Sequence, residues 1–198
     1  MNHSGLFRIG EVSKLFHVSI SILRHYDKIG LLKPEYTDPD TITLICNPPR
    51  RLTSICRELS PSNYLDLEYS IRELEQSEEN SVTFLGKVGL GISAKNLIHH
   101  RYRPYDIVFI FLDEEDQFKG KTVFLPEETC LSIRFQGGHE RAPEYYEKLM
   151  SYIEKNNYPI TGFSKEITMI DYGLTDDVTR FVTEIQIPIS SIPELQDK

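Results

Sequence analysis

Tryptophan is absent from the 198 residues, and cysteine and methionine occur only three times each. Cys46, Cys56 and Cys130 are too few and too scattered for a disulfide framework, and are read as free thiols of a reducing, cytoplasmic setting. No CxxC-like pair occurs among them, which argues against a thiolate metal site. The His99-His100 pair beside Arg101 and Arg103 reads as a solvated loop, since no further ligands stand at metal spacing. Neither metal nor cofactor is expected. No apolar run approaches the ~20 residues that span a bilayer, and no signal peptide is read, so no membrane role is expected. His139-Glu140 follows Gly137-Gly138 without a serine or cysteine nucleophile in any motif, and the chain is not read as an enzyme.

What is present begins with charge. Up to Pro34 there are five basic residues, Arg8, Lys14, Arg24, Lys28 and Lys33, against two acidic ones, Glu11 and Asp27. That segment carries +3 on a chain whose total is −8, so the remainder carries −11. A small basic head on an acidic body fits contact with DNA at one end only. The head sequence, FRIGEVSKLFHVSISILRHYDKIGLLKP, places Val12, Leu15 and Phe16 on one side of a short helix from about Gly10 to Phe16. Ser19 suits the N-cap of a second helix running from Ile20 to about Ile29, where Ile20 and Leu23 face inward. Gly30 suits its C-terminal stop, and Pro34 forbids more helix. Two short helices with a basic second one describe either a helix-turn-helix or a helical hairpin with a solvated face.

The residues themselves resemble the start of the MerR family of transcription regulators. The matching segments are Ile9-Gly10-Glu11, Val18-Ser19, Leu23-Arg24-His25-Tyr26-Asp27 and Gly30-Leu31-Leu32-Lys33-Pro34, with His25 where the family usually has tyrosine. The resemblance implies DNA contacts from Ser19, Ser21, Arg24, His25, Tyr26, Lys28 and Lys33. It ends near Tyr36–Asp40: the family's wing and long dimerisation helix are missing, so pairing into a homodimer lacks its usual coiled coil. Residues 1–41 are read as an incomplete head and 42–48, with Pro48-Pro49, as a junction.

From Arg50 the pattern changes. Leu52–Leu59 reads as a strand, Tyr64, Leu67, Ile71 and Leu74 as the apolar face of a helix, and Val82–Ile92 and Ile107–Leu112 as two more strands. Cys130–Phe135 repeats the strand. Pro143 opens a helix with Tyr146, Leu149, Met150 and Ile153 on its apolar face. Phe163–Tyr172 and Val178–Ile189 complete the set. The order recurs after roughly 75–80 residues, which predicts an α+β fold of two β-α-β-β units with a groove between them. This duplicated unit resembles the GyrI-like effector-binding domain over about residues 49–190, leaving 191–198 as a tail.

Glu166 and Glu184 stand in apolar strands, where an unpartnered carboxylate is costly and a lipophilic cation would be welcome. In an arbitrary strand such a residue points to solvent more often than not. The resemblance implies that the position matching Glu166 meets a cationic ligand and that Glu184 lines the same region. Tyr102, Tyr145, Phe163 and Tyr172 are candidates for an aromatic cage. The function implied is a ligand-responsive regulator of promoter DNA that senses a small lipophilic or cationic molecule. Two other readings are a stand-alone binder with a vestigial head, and a hydrolase using a pocket glutamate.

Overall fold

A computed structural model of the protein describes residues 9–23, 40–59, 88–112, 118, 120–170, 177 and 180–190. The expected helix of residues 60–74 and the DNA-contact candidates Arg24, His25, Tyr26, Lys28 and Lys33 lie outside them, as does Tyr172. In the head, α1 (Ile9–Leu15) is followed by a turn and a second helical stretch at residues 20–23. Ser19 caps that stretch as its spacing predicts: the Ile22 N–H donates to Ser19 Oγ at 3.3 Å, and the Leu23 N–H to the Ser19 carbonyl at 3.1 Å.

The body is built on one eight-stranded sheet. Its strands are β1 (Ile42–Asn47), β2 (Arg50–Leu59), β3 (Val88–Gly91), β4 (Tyr105–Leu112), β5 (Val123–Leu125), β6 (Glu128–Gln136), β7 (Lys165–Ile170) and β8 (Val182–Pro188). Across the sheet they run β1-β6-β8-β7-β3-β4-β2-β5, every neighbour antiparallel. Exchanging each of β1–β4 with the strand four places later gives the same order read backwards. The register follows: Arg50 opposite Leu125 corresponds to Glu128 opposite Asn47, and Leu52 opposite Phe111 to Cys130 opposite Pro188.

One expectation is corrected here. Residues 42–48 are not a junction, because 42–47 form β1 and pair along their whole length with β6. ITLICN is rich in β-branched residues, and Pro48-Pro49 marks the corner between β1 and β2 rather than a linker. The strand sets β1-β6-β8-β7 and β3-β4-β2-β5 join edge to edge where β7 meets β3, at Leu90 opposite Glu166. Glycine permits this seam. A Cβ at Gly91 would sit 2.8 Å from the Ser164 carbonyl oxygen, and one at Gly89 only 2.2 Å from the Phe109 ring.

Helices cover one face. Ser93 caps the short α2 (Ala94–Ile98), while α3 (Ala142–Lys155) starts with Pro143 in its first turn and follows a single 3-10 turn, His139–Arg141. The inward stripe of α3, Tyr145, Tyr146, Leu149, Met150 and Ile153, packs into one core with Leu131, Ile133 and Phe135 of β6 and Ile185 and Ile187 of β8. Strand alternation sends Leu52, Phe109, Phe111 and Ile167 to the other face, in a smaller cluster with Phe163 at its margin. No helix among the described residues is long and apolar enough to cross a membrane.

Candidate functional site

Where β7 meets β3, Glu166 lies on the helix-covered face. Its cross-strand partners Leu90 and Ile185 both belong to the main core, and its side chain is 0% exposed. The carboxylate is not left unpaired, contrary to the expectation from sequence. The Tyr105 hydroxyl lies 2.7 Å from Oε1 and 2.8 Å from Oε2, and His139 Nδ1 lies 2.6 Å from Oε1. Burying this charge is tolerable because both oxygens are held by donors. The other imidazole nitrogen stands 3.3 Å from Thr168 Oγ1, which in turn reaches Thr183 Oγ1 at 3.3 Å. Arg103 closes the group. Its guanidinium lies 4.6 Å over the Tyr105 ring and donates to the His139 carbonyl.

Two phenols frame the carboxylate, and neither can supply a second anion. Burial, then the charge of Glu166, pushes Tyr105 and Tyr146 well above the ordinary phenol value. Tyr105 therefore serves as a fixed O–H donor. Tyr146 shares a hydrogen bond of 2.8 Å with Ser164, whose Oγ also accepts the Ile92 N–H across the seam. The result is a buried acidic group whose partner His139 is its most exposed member among Tyr105, Tyr146 and His139, with a side chain 22% exposed.

Of the ligand-site candidates among the described residues, Glu166 alone lies at this group. Glu184 stands opposite Ile167, and Glu166 opposite Ile185, so strand alternation puts the two carboxylates on opposite faces. Glu184 instead accepts from Ser132 Oγ at 2.7 Å and Arg134 Nε at 3.2 Å. It does not line the Glu166 site. Tyr145 is a core residue, stacked on Phe135 at 3.9 Å. Phe163 edges onto Phe109 on the other face. Tyr102 stacks on Tyr146 at 5.4 Å and donates to Glu147, which ties it to α3 rather than to the carboxylate. Ser19 and Ser21 are exposed, with their hydroxyls 2.9 Å apart. The partners the sequence reading missed are Tyr105, His139, Arg103 and Tyr146. Tyr105 opens β4, two residues ahead of the apolar run Ile107–Leu112 that the sequence reading took as the strand. His139 was noticed, but only for lacking a nucleophile nearby.

Among the described residues, no three of His, Cys, Asp and Glu are arranged to hold a metal ion. The nearest to such a cluster is on the surface of α3, where His100 stands 3.2 Å from Glu147 and 2.7 Å from Glu154. Hydrogen bonds to Glu147, then Glu154, hold the His100 imidazole above its ordinary value of 6.5. A raised folded-state value means stability that is fully present below about pH 6.5 and lost as pH rises through the folded value. Thermal denaturation of His100→Gln should therefore lose the part of the melting-temperature difference between pH 5.5 and 8.5 that His100 supplies. His100 is 38% exposed and solvent screens the pairs, so that part should not exceed about 2–4 °C, equivalent to ~1 kcal/mol. An unchanged pH profile would mean that the two ion pairs contribute nothing in solution.

Comparison with known proteins agrees with both ends of the chain. Residues 41–190 match the GyrI-like small molecule binding domain, and residues 8–39 match the MerR family regulatory protein. A curated relative, the multidrug-efflux transporter 1 regulator of Bacillus subtilis (strain 168), is 69% identical over 35 residues, which are 18% of this chain and 13% of that one. This chain thus spans only a small part of that regulator's length. Among solved structures, EcmrR in a DNA complex superposes with a TM-score of 0.59 at 17% identity, covering 94% of this chain and all of that one. The EcmrR C-terminal domain gives 0.58 at 17% identity over 77% of this chain and 99% of that one. A hydrolase from Listeria innocua gives 0.52 at 10% identity over 83% and 98%. At such identities these likenesses establish the fold.

Proposed function

This chain belongs to the GyrI-like small molecule binding domain family, with a MerR-type segment ahead of it, and from that premise we propose that it is a ligand-responsive transcription regulator. The observation that carries the reading is the order of parts: a MerR-type segment, then a small molecule binding domain whose buried Glu166 is held by one partly exposed histidine. A small apolar cation binds at Glu166, and the promoter is read by the head through Ser19, Ser21 and the basic residues that follow. Ligand binding alters how the head deforms the DNA it contacts, and sequence-dependent deformability turns that into a change in transcription. The protein works in the cytoplasm. The body is a duplicated unit, its halves being β1–β4 and β5–β8, which the symmetric strand order supports.

We read the Glu166 group as a binding site rather than a catalytic one, because both carboxylate oxygens are already engaged by Tyr105 and one by His139.

The two family matches follow each other with no room for a long dimerisation helix between residues 39 and 41. A lone head making about 3–4 phosphate contacts should bind DNA weakly, with a log–log salt slope near −3. Titration of the protein's own upstream DNA across a salt series, with and without a lipophilic cation, tests this. The expected result is shallow salt dependence and an affinity or footprint that changes with the cation. Indifference of DNA binding to every cation bound by the body would sink the regulator reading and leave a stand-alone binder.

A further inference from the structure

We propose that His139 is a built-in occupant of the cation site, and that the site selects planar cations bearing N–H groups over quaternary ones. The inference rests on the reading of Glu166 as the ligand's counter-charge. It starts from the inequality of the two donors on that carboxylate. Tyr105 belongs to β4, is fully buried, and has Arg103 stacked on its ring. It cannot leave without opening the core. His139 sits in the 3-10 turn before α3 and is partly exposed, so its ring can turn outward.

The backbone beneath His139 is fixed. Gly137, at φ +124°, donates its N–H to the Phe181 carbonyl at 2.8 Å and accepts from Thr183 Oγ1 at 2.7 Å. Exchange at Glu166 is therefore a rotation of one side chain and needs no loop movement. Rotation gives up the His139 contact at 2.6 Å and the weaker one to Thr168 at 3.3 Å.

What must replace the imidazole follows from what it supplies. It is flat, it meets the Tyr105 ring edge-on at 74° with centroids 6.2 Å apart, and it places a nitrogen on Oε1. A planar amidinium, or a protonated heteroaromatic amine, brings the same shape and an N–H for Oε1. A tetraalkylammonium brings charge but no donor, and leaves Oε1 with Tyr105 alone. The missing charge-assisted hydrogen bond should cost such a ligand about tenfold to a hundredfold in affinity.

Benzamidinium and phenyltrimethylammonium are suitable probes, since both are small aromatic monocations at pH 7 and only the first has N–H groups. Calorimetric or NMR titration of the full chain should show benzamidinium binding at least tenfold tighter. In His139→Ala both should tighten by a common factor, because the occupant is gone, and the ratio between them should persist. In Glu166→Gln the ratio should narrow, because the amide oxygen still accepts but the hydrogen bond is no longer charge-assisted. In the wild-type protein, the His139 ring resonances should move toward those of a free imidazole as benzamidinium is added, a readout that needs no variant. Unchanged or weakened binding in His139→Ala, or ring resonances that stay put on saturation, would overturn the occupant. Equal wild-type affinities would overturn the selectivity. If no cation binds any of the three proteins while each retains its cooperative thermal transition, the cation reading of Glu166 falls and this inference falls with it.

Discussion

Glu166→Gln should weaken binding of a small aromatic cation by about 1–3 kcal/mol, roughly tenfold to more than a hundredfold, while leaving the fold intact. The structure explains why the fold survives. The amide oxygen of glutamine can still accept from Tyr105 and His139, and its N–H2 can point at the Tyr105 oxygen, so neither donor is stranded. Removing a buried charge while keeping its shape and contacts is close to neutral for stability. The ligand, in contrast, loses its counter-charge. A neutral probe of the same outline, benzamide against benzamidinium, should lose far less. Glu166→Ala is the harsher companion: it strands the buried Tyr105 hydroxyl and opens a cavity, and should cost about 2–4 kcal/mol of stability. Equal losses for the charged and neutral probes in Glu166→Gln would show that the carboxylate acts only through shape. Glu184→Gln serves as the control, because Glu184 faces away from Glu166 and should leave cation binding unchanged.

How far these features were legible from the chain itself depends on the kind of signal. Periodicity found the strands 107–112 and 130–135 and the α3 stripe, because each shows its buried face in its own sequence. It missed β1, a short edge strand held by pairing with β6, whose Ile133 lies 91 residues beyond its partner Ile42 (133 − 42), and no local pattern encodes that. Glu166 stood out as a carboxylate among apolar neighbours. Its partners did not, because Tyr105 and His139 come from different elements and meet it only through the β3–β7 seam and the turn before α3. The pairing of Glu184 with Glu166 failed for a simpler reason. Two strand glutamates share a face only if the register aligns them, and here β8 is offset by one residue.

The residue beside Glu166 carries the other large expectation. Alternation along β7 sends Lys165 to the face opposite Glu166, where its side chain is 2% exposed and its ammonium lies 2.6 Å from Glu128 Oε2 and 5.1 Å from the centroid of the Phe163 ring. Taking that ammonium out of water is tolerable only with its counter-ion in place. Glu128→Gln should therefore destabilise the protein by about 3 kcal/mol, the low end for a broken buried pair, because Glu128 is itself 17% exposed and water can approach its side. In a chain of this size that corresponds to a melting temperature lower by roughly 6–12 °C. Lys165→Met should cost less, since the orphaned Glu128 can turn toward solvent. The double variant Lys165→Met/Glu128→Leu should return to within about 1 kcal/mol of the wild type, because no buried charge is left unpaired. Cation binding at Glu166 should survive in that double variant, as Lys165 faces the other way. Additive losses in the cycle, with the double variant the least stable of the three, would mean that the ion pair holds β6 to β7 by more than mutual neutralisation.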